Sequence, residues 1–297
     1  MSMWDSISRL AKHPPPAHIF ELSAAGVAYA RGTDTGFAPL PAGALEVSPV
    51  EDNVRQLEAI TPVLGQFMAV RGARRRTAAV LLPDACARVS VLDFDAFPET
   101  PAEQLSLVRF RVKKTIPFDI ESASVGYYVQ RGGTKHGKGH GKGQGKGQGK
   151  TEVVAVTVAH EILARYEALF RNAGFHPGDV TVSALAVLNL YKGQEAAVLA
   201  RLAGNTLTVM VTAAGRLRLF RCLTLEEASD EEIRGVLYPT FAYAEDELGT
   251  PVRRLVLCGF EQAPAGLPCE SERLQGRFGV AGAFNAGLLG YMEASSL

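Results

Sequence analysis

At 297 residues with 47% hydrophobic side chains, the chain is long enough to bury a sizeable core and to divide it between two or more domains, because single cores stop growing near ~250–300 residues. Lysine plus arginine and aspartate plus glutamate number 31 each, so net charge draws the molecule neither to nucleic acid nor to an anionic bilayer, and any such attraction must be local. Cys86, Cys222, Cys258 and Cys269 lack CxxC spacing, which argues against a zinc site or disulfide framework and reads as four buried thiols in a reducing compartment. No apolar run approaches the ~18 residues that span a bilayer, and the first thirty residues lack the apolar centre of a signal peptide, so a cytoplasmic protein is expected.

Met3, Trp4, Ile7 and Leu10 share one helical face beside Arg9 and Lys12, suited either to resting on a membrane surface or to packing on the domain. After Pro14-Pro15-Pro16, the segment to Val47 reads as a meander of short strands broken by Gly and Pro turns. Asp52 or Asn53 is expected to cap a helix from Val54 to about Arg71, with Leu57, Ile60, Val63, Leu64, Phe67 and Met68 at helical spacing and a basic cluster, Arg71 to Arg76, at its end. TAAVLLP (77–83) is a continuous apolar run of the kind buried on both sheet faces, and ARVSVLDF (87–94) is a second strand.

Pro101 and Glu103 open the next helix, which carries Leu105, Val108, Val112 and Lys113. It should end near Thr115, because Pro117 disfavours helical geometry before it and presents Phe118 at a fixed exit. VGYYVQ (125–130) pairs naturally with EVVAVTVA (152–159). The intervening Gly132 to Lys150, a tetrad repeat without an apolar residue, cannot support a packed core and is expected to be a disordered loop. HEILARYEALFRNAGF is an amphipathic helix ending at Gly174, and VTVSALAVLNLY is a strand running into a helix. From Ala197, strands turning at Gly204-Asn205 and Ala214-Gly215 are followed by a helix from Asp230 to Leu248, a strand RRLVLCGF and a last helix from Ala281 to Met292. The residues alone indicate an α/β protein with repeated strand, hairpin and helix.

The run VKKTIPFD (112–119), together with the LRLFR strand and the helix into VLCGF, resembles the PilM family of type IV pilus assembly proteins, whose members carry a Lys-rich helix end followed by Ile/Leu-Pro-Phe-Asp. The resemblance implies an actin-like fold of ribonuclease H-like duplicated lobes. It assigns 1–83 and 161–194 to the first lobe, 84–160 to an inserted 1C-type subdomain carrying the 132–150 loop, 195–280 to the second lobe, and 281–297 to a helix returning to the first. Only LTLEEASDEE (223–232) stands where the family inserts its lid subdomain, so a reduced or missing lid is expected.

Actin-like ATPases hold phosphates on two glycine hairpins, each preceded by an Asp, because backbone N–H groups must approach the anion and carboxylates must organise magnesium. The first Asp-x-Gly-Ser/Thr position carries Glu21-Leu22-Ser23-Ala24, which loses the turn glycine. The second carries Arg201-Leu202-Ala203, with Gly204 one place late, and an arginine cannot ligate magnesium. The adenosine Gly-Gly is Gly259-Phe260. Neither ATP nor magnesium is therefore expected. GQGKT (147–151) resembles the end of a P-loop, but residue 144 is Gln where the first glycine must stand and a strand follows, so it is a chance match.

Lys135, Lys138, Lys142, Lys146 and Lys150 offer salt-sensitive attraction to polyanions or lipid headgroups, although a solvated loop explains them as well. Without interleaved aromatics nucleic-acid binding is not supported. His18, His160 and His176 lack partners at ligand spacing and read as capping or surface histidines, and there is no G-x-S-x-G elbow or paired-acid constellation. The resemblance thus implies a non-enzymatic cytoplasmic scaffold that docks the N-terminal cytoplasmic tail of a PilN-like bitopic inner-membrane protein, with peripheral membrane association through that partner. A nucleotide-dependent actin-like ATPase of the same machinery is the alternative. Candidate partner-binding residues are Arg109, Lys113, Lys114, Ile116, Pro117 and Phe118: the lysines would steer acidic groups and the apolar trio would form a pocket for an extended peptide. Ile116 and Phe118 serve equally well as subdomain core.

Overall fold

Two five-stranded sheets of the same connectivity organise the chain, whose computed structural model describes residues 16–69, 76–130, 150–249 and 251–295. The stretch around Met3, Trp4, Ile7 and Leu10, the basic residues 71–75 and the Lys/Gly insertion through residue 149 lie outside the described residues, as do the side chains at 68 and 69. In the first sheet β1 (His18–Ser23), β2 (Gly26–Arg31) and β3 (Asp34–Pro39) form an antiparallel meander. Helix α1 (Leu57–Gly65), extended by a 3-10 turn Gln66–Ala69, leads to β4 (Thr77–Leu82), which runs parallel to β1. With β8 (His176–Val182) beside β4, the order is β3-β2-β1-β4-β8.

Between β4 and β8 the chain inserts a three-stranded antiparallel sheet. It consists of β5 (Arg88–Phe94), β6 (Ala123–Val129) and β7 (Thr151–Ala159) in the order β5-β7-β6. Helix α2 (Pro101–Val112) covers one face, where Val108 and Val112 join Phe94, Val153 and Ala155 in a separate core. Helix α3 (His160–Asn172) ends at Gly174, which takes φ +89°, and returns the chain to β8 and the short α4 (Ser183–Val187).

The second sheet repeats the first. Strands β9 (Ala197–Ala203), β10 (Thr206–Ala213) and β11 (Arg216–Thr224) form the meander, α5 (Asp230–Leu248) follows, and β12 (Arg254–Cys258) lies parallel to β9 with β13 (Ser271–Arg273) outside it. Only Leu225 to Ser229 separate β11 from α5, so no lid subdomain is present there. A small hairpin, β14 (Gln275–Gly276) and β15 (Gly279–Val280), precedes α6 (Ala286–Ser295), which packs on β1, β2 and α4.

Side-chain alternation decides what each face of the second sheet meets. Val198, Ala200, Leu207 and Val209 pack under α5, whereas Ala197, Leu199 and Met210 on the opposite face join the core of the first lobe. Burial of apolar side chains on both faces supplies the main stabilisation, at ~25 cal/mol per Å² removed from water. The inserted sheet is also tied to the second lobe. The Gln130 amide donates to Leu217 O and accepts from Leu217 N, both at 2.8 Å, while Glu152 is bridged by Arg216 at 2.8 Å and by Arg218.

Several boundaries differ from expectation. Asp52 and Asn53 do not cap α1, which begins three residues later at Leu57. Instead the Asn53 amide donates to Tyr166 O–H at 3.1 Å and its carbonyl accepts from Ser48 N, and Asp52 accepts from Val54 N and Arg165. These side chains fasten a loop to α3. Helix α2 closes at Val112 rather than near Thr115, because Thr115 turns its own amide and hydroxyl back to Val112 O. The last helix starts at Ala286, five residues later than expected.

Helix α6 approaches α4 through glycine. A Cβ at Gly290 would collide with Ala186 O, and one at Gly287 would stand 3.0 Å from Ser183 Cα and 3.1 Å from Glu21 Cδ. Gly290→Ala should lower the unfolding free energy by ~2 kcal/mol or more. Gly65→Ala at the end of α1, where nothing lies within 4 Å, should be neutral or stabilising by ~0.5–1 kcal/mol. Urea denaturation of the two variants checks both signs.

Candidate functional site

The duplicated sheets bring two equivalent positions face to face. Glu21 pairs with Ala28 two rungs before the β1–β2 ladder ends at Ser23–Gly26, and Arg201 pairs with Thr208 two rungs before the β9–β10 ladder ends at Ala203–Thr206. Strand alternation aims Arg201 and Thr208 at the first lobe. Equivalent places in the two lobes thus carry opposite charges, and they meet directly.

Arg201 is 4% exposed, Glu21 0% and Asp84 2%. One guanidinium nitrogen lies 2.8 Å from Glu21 Oε1, the other 2.6 Å from Asp84 Oδ2, and the first also donates to Ala283 O at 3.1 Å. Each carboxylate oxygen accepts at least one hydrogen bond, from Arg201 or from another group of the protein. Glu21 Oε1 accepts from the Ser183 hydroxyl and Oε2 from Leu288 N at 2.7 Å, while Asp84 Oδ1 accepts from Ala184 N at 2.7 Å and Oδ2 from the Thr208 hydroxyl at 2.8 Å. Burial alone would weaken the guanidinium's hold on its proton, but Asp84 and Glu21 more than reverse this and hold it above the usual arginine range. The cluster gathers two acidic side chains around one guanidinium. It faces the first turn of α6 through the Leu288 amide, where the helix dipole favours an anion.

These residues do not fit a magnesium-bound nucleotide. All four carboxylate oxygens already accept hydrogen bonds from the protein, and the Arg201 side chain stands between the two acids. Ser23 closes its own turn, donating to Gly26 O at 2.9 Å and accepting from Gly26 N at 3.1 Å. Gly204, with φ +58°, forms the β9–β10 turn. Gly259 takes φ +78° because its Cα faces the Leu202 carbonyl and a Cβ there would stand 2.8 Å from Ala283 Cα, so the space beside it is filled by backbone. Phe260 packs against the second-lobe core. Among the described residues no group of three His, Cys, Asp or Glu side chains is placed to hold a metal.

Sequence reasoning found Glu21 and Arg201 but missed Asp84, Ser183, Thr208 and the Leu288 amide. A signal existed for Asp84 alone: an acid directly after a strand buried on both faces must be paired. The others converge from positions up to 267 apart in the chain, as Glu21 and Leu288 are.

The expected partner-binding residues divide. Arg109 turns inward, donating to Ala123 O at 3.3 Å, Ile120 O at 2.7 Å and Glu121 at 3.1 Å, so it holds the loop that enters β6. Ile116 and Phe118 are half-buried against the subdomain core. Lys113, Lys114 and Pro117 are exposed, as is Phe110, at 72%, on the preceding turn of α2. Phe110 was not anticipated. Beside them β6 is the outer strand of its sheet and, among the described residues, pairs only with β7.

His160 and His176 are exposed, His160 with Nδ1 2.8 Å from Ser124 Oγ, but His18 is not a surface residue: it is buried with its ring centroid 5.1 Å from that of Phe175. The four thiols are free, although only Cys86 and Cys258 are buried, whereas Cys222 and Cys269 are partly exposed. Burial raises the thiols of Cys222 and Cys258 from 9.0 to about 12 and raises Cys86 as well. A raised folded-state value means that stability is fully present below pH 9 and is lost as pH climbs toward 12, since the unfolded thiols release their protons first. Denaturant titrations above pH 9 should show that loss, with a shallower slope in a Cys222→Ala/Cys258→Ala variant.

Two sheets of order 3-2-1-4-8 and 11-10-9-12-13, with a three-stranded subdomain inserted in the first lobe, define an α/β protein of the actin-like fold. Solved structures carry the same arrangement. A chain of the PilM–PilN type IV pilus biogenesis complex matches with a TM-score of 0.69 at 15% identity, over 96% of this chain and 100% of that one. The cytoplasmic domain of EpsL, an inner membrane component of the type II secretion system of Vibrio cholerae, matches with a TM-score of 0.53 at 14% identity, over 94% of this chain and 93% of that one. The fold is therefore PilM-like. No protein-family model matches the chain, and no curated protein does. No helix among the described residues is long and apolar enough to cross a membrane.

Proposed function

We propose that this chain is a cytoplasmic, non-hydrolysing actin-like scaffold of a type IV pilus or related secretion platform, at the inner face of the inner membrane, where it docks the N-terminal cytoplasmic peptide of a PilN-like bitopic protein. The observation that supports this reading is the buried ion cluster between the lobes: Arg201 pairs with Glu21 and Asp84, and the family resemblance aligns Glu21 and Arg201 with the phosphate loops, which favours binding at the surface over nucleotide chemistry. The likeness to the PilM–PilN complex and to EpsL supports a pilus or secretion setting.

The docking surface consists of Lys113, Lys114, Pro117 and Phe110 at the end of α2, next to the outer edge of β6. An extended peptide gains main-chain hydrogen bonds along such an edge, places an apolar side chain against Phe110 and Pro117, and brings acidic groups to the lysines. Ile116, Phe118 and Arg109 support this surface from within the subdomain.

Two titrations test the reading. A synthetic peptide covering the cytoplasmic N-terminus of the organism's PilN-like protein should bind, and Lys113→Glu/Lys114→Glu, which alters only exposed side chains, should weaken it at least tenfold, about 1.4 kcal/mol. Unchanged affinity in that variant would remove the surface. Calorimetry with magnesium-ATP should give no binding heat, and a micromolar isotherm would return the chain to the ATPase class.

A further inference from the structure

We propose that the Glu21–Asp84–Arg201 cluster is an electrostatic latch: the Arg201 guanidinium acts as a tethered cation that holds the two lobes and α6 in one closed arrangement without any bound ligand. This goes beyond the docking function and does not depend on it. Like charges at two facing positions of a duplicated fold would repel one another. Here one of the two positions is Glu21 and the other Arg201, so the lobes satisfy each other.

The latch gathers both lobes and the C-terminal segment around one side chain. Glu21 comes from β1, Asp84 from the turn after β4, and Ser183 and Ala184 from α4. Arg201 and Thr208 come from β9 and β10, and Ala283 and Leu288 from the C-terminal segment. Leu199, Met210, Ala286 and Leu288 are buried in the same core, so removing the guanidinium leaves the acids without their charged partner in a mostly apolar setting. Charge and shape are both specified, because a guanidinium fork reaches two separate carboxylates that a lysine ammonium meets only as a point charge.

The experiment uses the full chain and methylguanidinium chloride as the probe. Arg201→Ala should lower Tm by on the order of 10 °C, since it leaves two uncompensated buried acids. Methylguanidinium at tens of millimolar should recover several degrees in that variant, whereas equal sodium chloride should not, and the wild type should gain nothing from either. Hydrogen exchange supplies a local reading: the Ala184 and Leu288 amides, which donate to the two carboxylates, should exchange faster in the variant and regain protection with the probe. If Arg201→Ala does not fold, Arg201→Lys keeps the charge and should fold with the same two amides less protected. Arg201→Met, similar in volume but uncharged, separates the latch from simple packing, and a Met variant as stable as the wild type overturns the proposal. Equal response to methylguanidinium and sodium chloride overturns it as well.

Discussion

Arg201 carries a full charge to a place almost closed to water, and the rest of the structure is arranged so that this is tolerable. An isolated buried guanidinium would be prohibitively costly, and two isolated buried carboxylates more so. Each ion is acceptable only because the others are there, with two hydroxyls, two backbone amides and one carbonyl adding hydrogen bonds, although Arg201 Nε is left without a partner among the described residues. Breaking such a set costs ~3–5 kcal/mol, a large part of the ~5–15 kcal/mol by which domains are stable. The ion cluster adds a directional interaction to the apolar contacts that join the two lobes. Gly287 and Gly290 are part of the same constraint, since only a glycine-faced α6 can lie close enough for Leu288 N to reach Glu21.

The duplication of the sheets makes this possible. Two meanders of identical order place residues two rungs before each hairpin at matching sites, and these sites face one another across the molecule. A fold with that geometry can bridge the lobes through a ligand or directly. Opposite charges at Glu21 and Arg201 choose the direct route, and the close packing of Gly259 against Leu202 and Ala283 fills the space beside it. A second set of contacts, Gln130 with Leu217 and Glu152 with Arg216 and Arg218, joins the inserted sheet to the second lobe. The subdomain bearing Lys113 and Lys114 is therefore carried on a frame held at two places. A rigid frame suits a docking role, because little conformational entropy is lost when a peptide settles on a surface already in position.

Much of the architecture could be read along the chain. The apolar run before Asp84 is a central strand, Gly204 and Gly215 close hairpins with positive φ, and Gly174 ends α3. These are local matters, settled by backbone stereochemistry and by the period of the apolar residues. The misplaced start of α1 has a tertiary cause, whereas the early end of α2 is local, with Thr115 bonding back to Val112 O. Asn53 looked like a helix cap, but Tyr166, 113 residues away, offers its amide a better-buried partner. His18 looked like a surface residue because Phe20 and Tyr29 close by give no sign that Phe175, far along the chain, completes the aromatic cluster around it.

The candidate site shows the same division. The sequence by itself determined that the chain is α/β and that it repeats a strand–hairpin–helix pattern, and its family resemblance singled out Glu21 and Arg201. It also marked the basic pair Lys113 and Lys114, which lies just past the end of α2. Only the tertiary structure decided what those residues accomplish: Arg201 is not merely a missing ligand but the partner of Glu21 and Asp84, and Arg109 is an internal brace while Phe110 faces solvent. The reason is physical. Propensity, periodicity and turn chemistry act over a few residues, whereas desolvation of a charge depends on everything within a few ångströms of it, and those atoms come from segments that no local pattern relates.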